Sequence, residues 1–344
     1  MNRQHPLYQQ DLDNIIVSNN LEALNGKSLL ITGATGLIGT QLIDALIRWN
    51  KKGGNIKVIA ASRNKEKLVE KFGEYSSNEQ FFFIEQDALQ PFPDELKADF
   101  IIPLASNTHP LAYSKYPVET MYINLKGAEH ALELARKCNA TVLYPSTVEV
   151  YGNARSNDVF VEDYTGTLNL SNSRSCYTES KRSCEALCQS YIAEYGVKAK
   201  IARLSRVFGP TVKTTDTKAS SQFIQKAIEG KDIVLKSEGN QYFSYTYVAD
   251  AVSALLYIML KGAVGEAYNI ANESCNVHLK DFAQTCADAA GTNVIYDLPS
   301  ETERKGYSVA TTAILDNAKL KAIGWKPMYT FKDAVRRTIK IIKE

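Results

Sequence analysis

Leu29-Leu30-Ile31-Thr32-Gly33-Ala34-Thr35-Gly36-Leu37-Ile38-Gly39 runs from an apolar strand through a glycine-rich turn into a helical pattern. Glycine permits the tight turn and lets backbone N–H groups approach a phosphate, and the helix N-terminus then favours negative charge. The stretch therefore predicts a strand–turn–helix unit holding a dinucleotide pyrophosphate, with Gly33, Thr35, Gly36, Leu37, Ile38 and Gly39 as its contacts.

Working outward, apolar strands alternate with helical patterns. Strands are expected at Ser28–Thr32, Ile56–Ala61, Phe81–Gln86, Phe100–Leu104 and Thr141–Pro145, with helices between most of them, notably Leu37–Trp49 and Val118–Lys137. Near-continuous apolar strands separated by helices predict a parallel sheet covered on both faces. The expected class is α/β, a Rossmann-like doubly wound sheet whose ligands sit at the carboxyl ends of its strands. A helix over Tyr177–Tyr195 and a strand at Ala199–Leu204 follow. After Gly209-Pro210 the pattern loosens. Short strands at Ile233–Lys236 and Ala267–Ile270, with helices at Ser221–Glu229, Val248–Leu260, Leu279–Ala290 and Phe331–Ile342, predict a smaller α/β C-terminal lobe. The expected division is an N-terminal extension (1–27), a mainly dinucleotide-binding part (28–209) and a mainly substrate-binding part (210–344), with some exchange of chain between them. In the extension, Leu12, Ile15, Ile16, Leu21 and Leu24 suggest a short helix packed on the domain edge.

Other cofactor contacts follow from position. Asp87, with Ala88 beside it, lies past the third strand and can bind an adenine amino group, while Leu104, Ala105 and Ser106 end the fourth strand and line the groove. A carboxylate after the second strand would bind a ribose 2′-hydroxyl and repel a 2′-phosphate. Here the segment reads Ala60-Ala61-Ser62-Arg63-Asn64. It has no carboxylate, and Ser62 with Arg63 can accept a phosphate through charge-assisted hydrogen bonds. This leans toward NADP.

A second constellation carries chemistry. An alcohol becomes a ketone when a base takes the hydroxyl proton and a hydride leaves the carbon. Tyrosine is a weak base at its reference pKa of about 10, and a nearby cation favours its phenolate. Lys181 lies one helical turn after Tyr177, on the same face. Thr147, ending the fifth strand, offers a hydroxyl to hold the substrate oxygen, and Glu149 can act as a second acid or base.

Bulk properties exclude other classes. The 344 residues are 44% hydrophobic and carry a net charge of +2, which gives no reason to expect nucleic acid or an acidic membrane as partner. Cys184 and Cys188 share a helix face, but no nearby His or second Cys pair completes a zinc site, so no metal is expected. No stretch reaches the roughly 20 apolar residues that span a bilayer, and no apolar signal segment opens the chain. A reducing cytoplasm fits the cysteine pattern.

The chain resembles the NAD-dependent epimerase/dehydratase family of extended short-chain dehydrogenases/reductases, which act on nucleotide sugars. The resemblance runs from about residue 27 to the C-terminus. It rests on the Gly33/Gly36/Gly39 turn, Leu104-Ala105-Ser106, Asn124 before Lys126-Gly127, Ser146-Thr147 with Tyr151-Gly152, Tyr177/Lys181 and Gly209-Pro210. It implies catalytic roles for Thr147, Tyr177 and Lys181, cofactor contacts at Asn124, Tyr177 and Lys181, NAD as cofactor, and a homodimer. Several phrases are most similar to UDP-glucuronate decarboxylases: Leu104-Ala105-Ser106 followed by Pro110, Tyr113 and Pro117; Pro145 to Gly152; and Arg174-Ser175-Cys176-Tyr177 with Glu179, Lys181 and Arg182. Thr108, Tyr113 and Glu149 are then expected at the substrate.

Three departures mark this chain. Decarboxylases of this type carry Thr-Ser-Glu and 4,6-dehydratases Thr-Asp-Glu where Thr147-Val148-Glu149 stands, so Val148 supplies neither the serine nor the dehydratase acid. The family usually has Arg at the position of Phe243 and Asn at that of Arg206. Either Arg206 reaches the substrate diphosphate from another wall, with help from Lys218 and Arg304, or it makes a structural ion pair and the substrate differs. The expected reading is oxidation at sugar C4, chemistry eased by the ketone, then re-reduction, with decarboxylation first. The alternatives are 4-epimerisation, a plain NADPH-dependent reduction, or a non-catalytic dinucleotide-sensing scaffold.

Overall fold

The computed structural model describes residues 1–108, 110–154, 158–297 and 311–344. Seven parallel strands form the central sheet. In chain order they are β1 (Ser28–Thr32), β2 (Lys57–Ser62), β3 (Phe81–Glu85), β4 (Phe100–Pro103), β5 (Thr141–Thr147), β7 (Lys198–Leu204) and β11 (Ala267–Ile270). Their order across the sheet is β11-β7-β5-β4-β1-β2-β3. The switch between β1 and β4 opens a crevice at the carboxyl ends, where such sheets bind ligands.

The apolar runs read as buried strands because alternate residues feed opposite layers. In β1, Leu29 and Ile31 join one core and Leu30 the other. Each such fully buried side chain contributes roughly 1.5–3 kcal/mol. Helices α1 (Pro6–Val17) and α2 (Leu37–Lys51) belong to the first layer. Beyond α3 (Lys65–Phe72) and the short α4 (Pro110–Lys115), α5 (Pro117–Cys138) and α6 (Ser175–Tyr195) pack on each other and cover the second layer. Proline at the first turn starts α5, and Asn139, at φ 53°, ends it in the left-handed region.

A second sheet joins short strands from distant parts of the chain: β12 (Asn276–His278), β10 (Tyr242–Tyr247), β14 (Thr312–Leu315) and β6 (Val159–Phe160), with β8 (Arg206–Phe208) paired to β10. A separate pair joins β9 (Ile233–Leu235) to β13 (Val294–Tyr296). Helices α7 (Ala219–Ile228), α8 (Val248–Lys261), α9 (Leu279–Ala290), α10 (Ala318–Ala322) and α11 (Phe331–Lys343) complete the fold. Ala267–Ile270, expected in the C-terminal lobe, instead adds to the edge of the main sheet, in register with Ile201–Leu204.

The N-terminal helix is built into the core. The Tyr8 hydroxyl donates to the buried Asp44 at 2.6 Å, and Arg337 on α11 holds the buried Asp11 at 2.7 and 2.9 Å. Cys184 and Cys188 are wholly buried in the second layer, so their shared face is a packing surface. Among the described residues no helix is long and apolar enough to cross a membrane.

Candidate active site

The glycine turn caps α2. Gly33 has φ +61°, and a Cβ there would lie 2.7 Å from the Ala105 backbone nitrogen, so the turn and the end of β4 touch only because glycine is present. A Cβ on Gly39 would meet the Gly33 carbonyl oxygen at 2.7 Å. Gly36, the N-cap of α2, is different: within 4 Å its Cβ would meet only the Gly33 oxygen, at 3.1 Å. The fold itself demands glycine at 33 and 39, whereas at 36 it leaves room for close approach from outside. No side chain caps α2, so its first N–H groups are open to an anion. Thr35 is buried, and Leu37 and Ile38 pack half-buried on the first core layer. These residues fit a dinucleotide pyrophosphate.

The other expected cofactor residues gather on the same rim. Ala88, Ala105, Asn124 and Lys181 line one cleft with Thr32 and Tyr144. Leu104 and Ala105 follow β4, and the Ala105 N–H donates to the Thr32 hydroxyl at 3.1 Å. Ser106 donates to Asn124 at 2.7 Å, and Asn124 donates to Ser180 at 2.9 Å. This chain fixes α6 against the end of β4. Asp87 accepts from the Leu89 N–H at 2.9 Å. Ser62 ends β2, and the exposed Arg63 lies 3.5 Å from Glu119.

Thr147 ends β5 directly opposite Leu204 of β7, so Thr147 and Arg206 emerge from neighbouring strand ends. The Thr147 hydroxyl accepts from the Glu149 N–H at 3.3 Å and starts the short helical turn Val148–Tyr151. The buried Tyr177 hydroxyl reaches the hydroxyls of Thr147 and Tyr113. Tyr113 stacks on the Tyr177 ring, with centroids 4.7 Å apart and planes 19° apart. Glu149 takes Thr178 at 3.3 Å and Arg174 at 3.5 Å, and the Arg174 guanidinium lies over the Tyr113 ring at 5.5 Å. Burial, then the Glu149 charge, raises the Tyr177 phenol well above its ordinary value, while the bonds to Thr147 and Tyr113 pull it back.

Lys181 is the point of difference from the sequence reading. It lies one turn after Tyr177 and is buried, but its ammonium donates to the Pro145 carbonyl at 2.8 Å and sits over the Tyr144 ring at 4.8 Å. Burial pushes Lys181 down to about 8.

On the facing wall, the Arg206 guanidinium lies 3.6 Å from the centroid of the buried Phe243 ring. Its Nη1 is enclosed and makes no hydrogen bond. Burial lowers its pKa, and the Tyr245 and Glu149 charges oppose that shift. Lys218, the N-cap of α7, is 3.2 Å from Asp216. Thr108 is exposed beyond β4. Arg304 lies outside the described residues. The sequence reading did not single out Thr178 or Ser180. Both are buried on the helix that carries Tyr177 and Lys181, and no motif marked them.

A doubly wound sheet with an uncapped glycine turn, a hydroxyl at the end of β5 and a phenol and amine on the adjoining α6 defines a dinucleotide-dependent enzyme of the extended short-chain dehydrogenase/reductase type. The model of the "NAD dependent epimerase/dehydratase family" matches residues 29–271. The chain belongs to that family. It is 30% identical to UDP-glucuronic acid decarboxylase 1 of Arabidopsis thaliana, over 90% of this chain and 68% of that protein. It is 27% identical to UDP-glucuronic acid decarboxylase 1 of Xenopus tropicalis, over 92% of this chain and 72% of that protein. Its fold matches UDP-glucuronic acid 4-epimerase of Bacillus cereus, solved with UDP-glucuronic acid and NAD. That match has a TM-score of 0.76 at 21% identity and covers 92% of this chain and 99% of that one.

Proposed function

We propose that this chain converts a nucleotide-diphosphate sugar by transient oxidation at C4, with UDP-glucuronate decarboxylation as the leading reaction. The observation that carries this is the convergence of Thr147, Tyr177 and Glu149 beside an enclosed arginine that has no acceptor for its Nη1.

A bound dinucleotide would supply the acceptor and later the donor of the C4 hydride, with Gly33–Gly39 to hold its pyrophosphate and Lys181 its nicotinamide ribose. Thr147 orients the C4 hydroxyl and the Tyr177 phenolate takes its proton. With a carboxylate at C5, the resulting 4-ketone is a β-keto acid. The C5–carboxyl bond breaks, CO2 leaves, and its bonding electrons form an enolate. The Glu149 carboxylate, beside Thr178 and Arg174, is placed to relay a proton taken up from solvent to C5, which quenches the enolate. Tyr177 then returns its proton to the C4 oxygen as the hydride comes back. Val148 is buried in the core and carries no proton, which leaves 4,6-dehydration without its acid.

Arg206, Lys218 and Arg304 are the cations assigned to the diphosphate, and Phe243 backs Arg206. Pairing into a homodimer is expected through the α5 surface, where Val118 and Tyr122 are exposed. A reducing, cytoplasmic setting suits the free Cys184, Cys188, Cys275 and Cys286.

Incubation of the protein with UDP-glucuronate and NAD, followed by mass analysis, tests the reading. A product lighter by one CO2 supports decarboxylation. An isomer of unchanged mass would move the assignment to 4-epimerisation. No change with UDP-, CDP-, GDP- or dTDP-sugars, including the uronates, would reject it.

A further inference from the structure

A polar row crosses the carboxyl end of the main sheet. Ser146 on β5 stands opposite Arg203 on β7, and Arg203 stands opposite Asn269 on β11. Two residues earlier in each strand the same face carries Tyr144, Ile201 and Ala267, again opposite one another, so the face turns from apolar to polar within one alternation. Glu185 of α6 lies over the row. Its carboxylate accepts the Ser146 hydroxyl and holds Arg203 with both oxygens, Nε at 3.1 Å and Nη2 at 2.7 Å. The side chains of this pair are only 14% and 12% exposed, so it is largely desolvated.

Glu185 stands one helical turn beyond Lys181, and Lys181 one turn beyond Tyr177, which puts the three on one face of α6. They meet three consecutive residues of β5. Tyr177 reaches the Thr147 hydroxyl, Lys181 the Pro145 carbonyl and Glu185 the Ser146 hydroxyl. The third contact joins the same two elements through groups that the proposed chemistry does not use. Arg203 extends the clamp. Its Nη1 donates to the Tyr151 hydroxyl at 3.0 Å and to the Glu162 carbonyl at 2.6 Å, and the Tyr151 hydroxyl donates to the Asn269 side chain at 2.6 Å. Tyr151 closes the helical turn that carries Glu149. One ion pair thus holds the strand end that presents Thr147, the helix that presents Tyr177 and Lys181, and the turn that presents Glu149.

We propose that Glu185, acting through Ser146, is a positioning residue that sets Tyr177 against Thr147 at the reacting hydroxyl. The inference rests on the reading of Tyr177 and Thr147 as the proton-transfer pair. Two tasks separate within the network. Arg203 engages both Glu185 oxygens, so the charges remain paired without Ser146, and the pair serves the fold. The Ser146 bond ties α6 to the residue before Thr147 and serves the geometry. Misplacing reacting groups by a fraction of an ångström slows the chemical step while binding persists.

Ser146→Ala removes the tie and leaves the ion pair in place. In the full chain, with a nucleotide sugar that the parent converts, kcat should fall about tenfold or more, with KM, dinucleotide affinity and melting temperature unchanged. Glu185→Gln keeps an acceptor for the Ser146 hydroxyl but leaves the Arg203 charge without its counter-ion. It should melt lower than Ser146→Ala yet lose less of kcat. An unchanged kcat in Ser146→Ala, or rates that follow the melting temperatures of the two variants, would overturn the positioning role and leave Thr147 and Tyr177 as assigned. A parent that converts no nucleotide sugar would overturn the reading of the site instead, and amide hydrogen exchange then decides the tie. Ser146→Ala should speed exchange in the Val148–Tyr151 turn and the first turns of α6, and unchanged exchange there would overturn it.

Discussion

Arg206 lies flat against Phe243, guanidinium carbon to ring centroid 3.6 Å, on adjacent paired strands. The enclosed Nη1 has no hydrogen-bond acceptor. The ion-pair alternative for Arg206 therefore has no support at that nitrogen, and the aromatic ring provides a platform in place of a counter-ion. Arg206→Met should weaken nucleotide-sugar binding by about 1.5–3 kcal/mol, the range for a lost charged hydrogen bond, with cofactor affinity unchanged. Because burying an unpaired charge costs free energy, the same variant should melt no lower than the parent. Calorimetry with UDP and thermal unfolding check both halves. Unaltered UDP affinity would remove Arg206 from the diphosphate site.

Tyr177 is wedged between Tyr113 and Thr147, and its phenol is held high by burial. Tyr177→Phe should lower turnover by about 10²- to 10⁴-fold, the range for a positioned acid–base group, while the buried ring position is kept. Tyr113→Phe removes one of the bonds that favour the phenolate and should displace the rising limb of the pH–rate profile to higher pH. A normal rate in Tyr177→Phe would remove the phenol from the proton transfer.

The three glycines separate into two kinds. Gly33→Val drives side-chain atoms into the Ala105 and Leu104 backbone and should cost folding, seen as a lowered melting temperature or insoluble protein. Gly36→Val faces a single close internal contact, so it should remain folded but lose dinucleotide binding. Circular dichroism and cofactor titration distinguish these outcomes. A Gly36→Val protein that binds NAD or NADP normally would displace the pyrophosphate from the turn.

The central sheet and much of the site were legible because they follow from strong local signals. The β1–Gly33–α2 turn, Thr147 at a strand end and Tyr177 with Lys181 at one-turn spacing are read from short windows. The second sheet was not legible. Strands such as Val159–Phe160 and Arg206–Phe208 are too short to show a period, and β6 and β14 come from distant parts of the chain. Ala267–Ile270 reads as an apolar strand, but only tertiary pairing assigns it to the main sheet. The seating of Arg206 on Phe243 was hidden for the same reason: sequence could set the lost and gained arginines against one pocket, but only the β8–β10 pairing stacks one residue on the other. The bond from Lys181 to the Pro145 carbonyl joins the helix to the end of β5, a tertiary contact that spacing cannot encode.

Lys181 should impose a pH dependence on cofactor binding. Its ammonium is present below its pKa of about 8 and lost above it. If it holds the nicotinamide ribose, affinity should fall as pH rises through that value, and Lys181→Met should be weaker throughout with the dependence gone. The effect on folding has the opposite sign. The folded pKa lies below the unfolded value of about 10.4, so the native state binds fewer protons in between and the burial penalty is relieved as pH rises across that window. Cofactor titrations at pH 6.5 and 9, as rough bracketing values either side of it, compare the two proteins. A dependence that survives in Lys181→Met belongs to another group.

Asp11 and Arg337 tie the first helix to the last. Both are buried, the guanidinium holds the carboxylate at 2.7 and 2.9 Å, and the Tyr247 hydroxyl donates to the other oxygen at 2.5 Å. Burial raises the Asp11 pKa and the Arg337 charge opposes it. Removing one partner of such a pair leaves an uncompensated charge in the core, at a cost of about 3–5 kcal/mol. Arg337→Met should therefore lower the melting temperature markedly. Asp11→Asn in the Arg337→Met background should recover much of the loss, because the amide carries no charge to strand and keeps an acceptor for Tyr247. The same logic reaches the site only indirectly. Tyr247 ends β10, the strand that carries Phe243 and pairs with the strand of Arg206. Arg337→Met should thus weaken nucleotide-sugar binding more than cofactor binding at temperatures well below the melt. Equal losses for both ligands would mean that the N-terminal helix supports the fold as a whole and has no particular hold on the substrate wall.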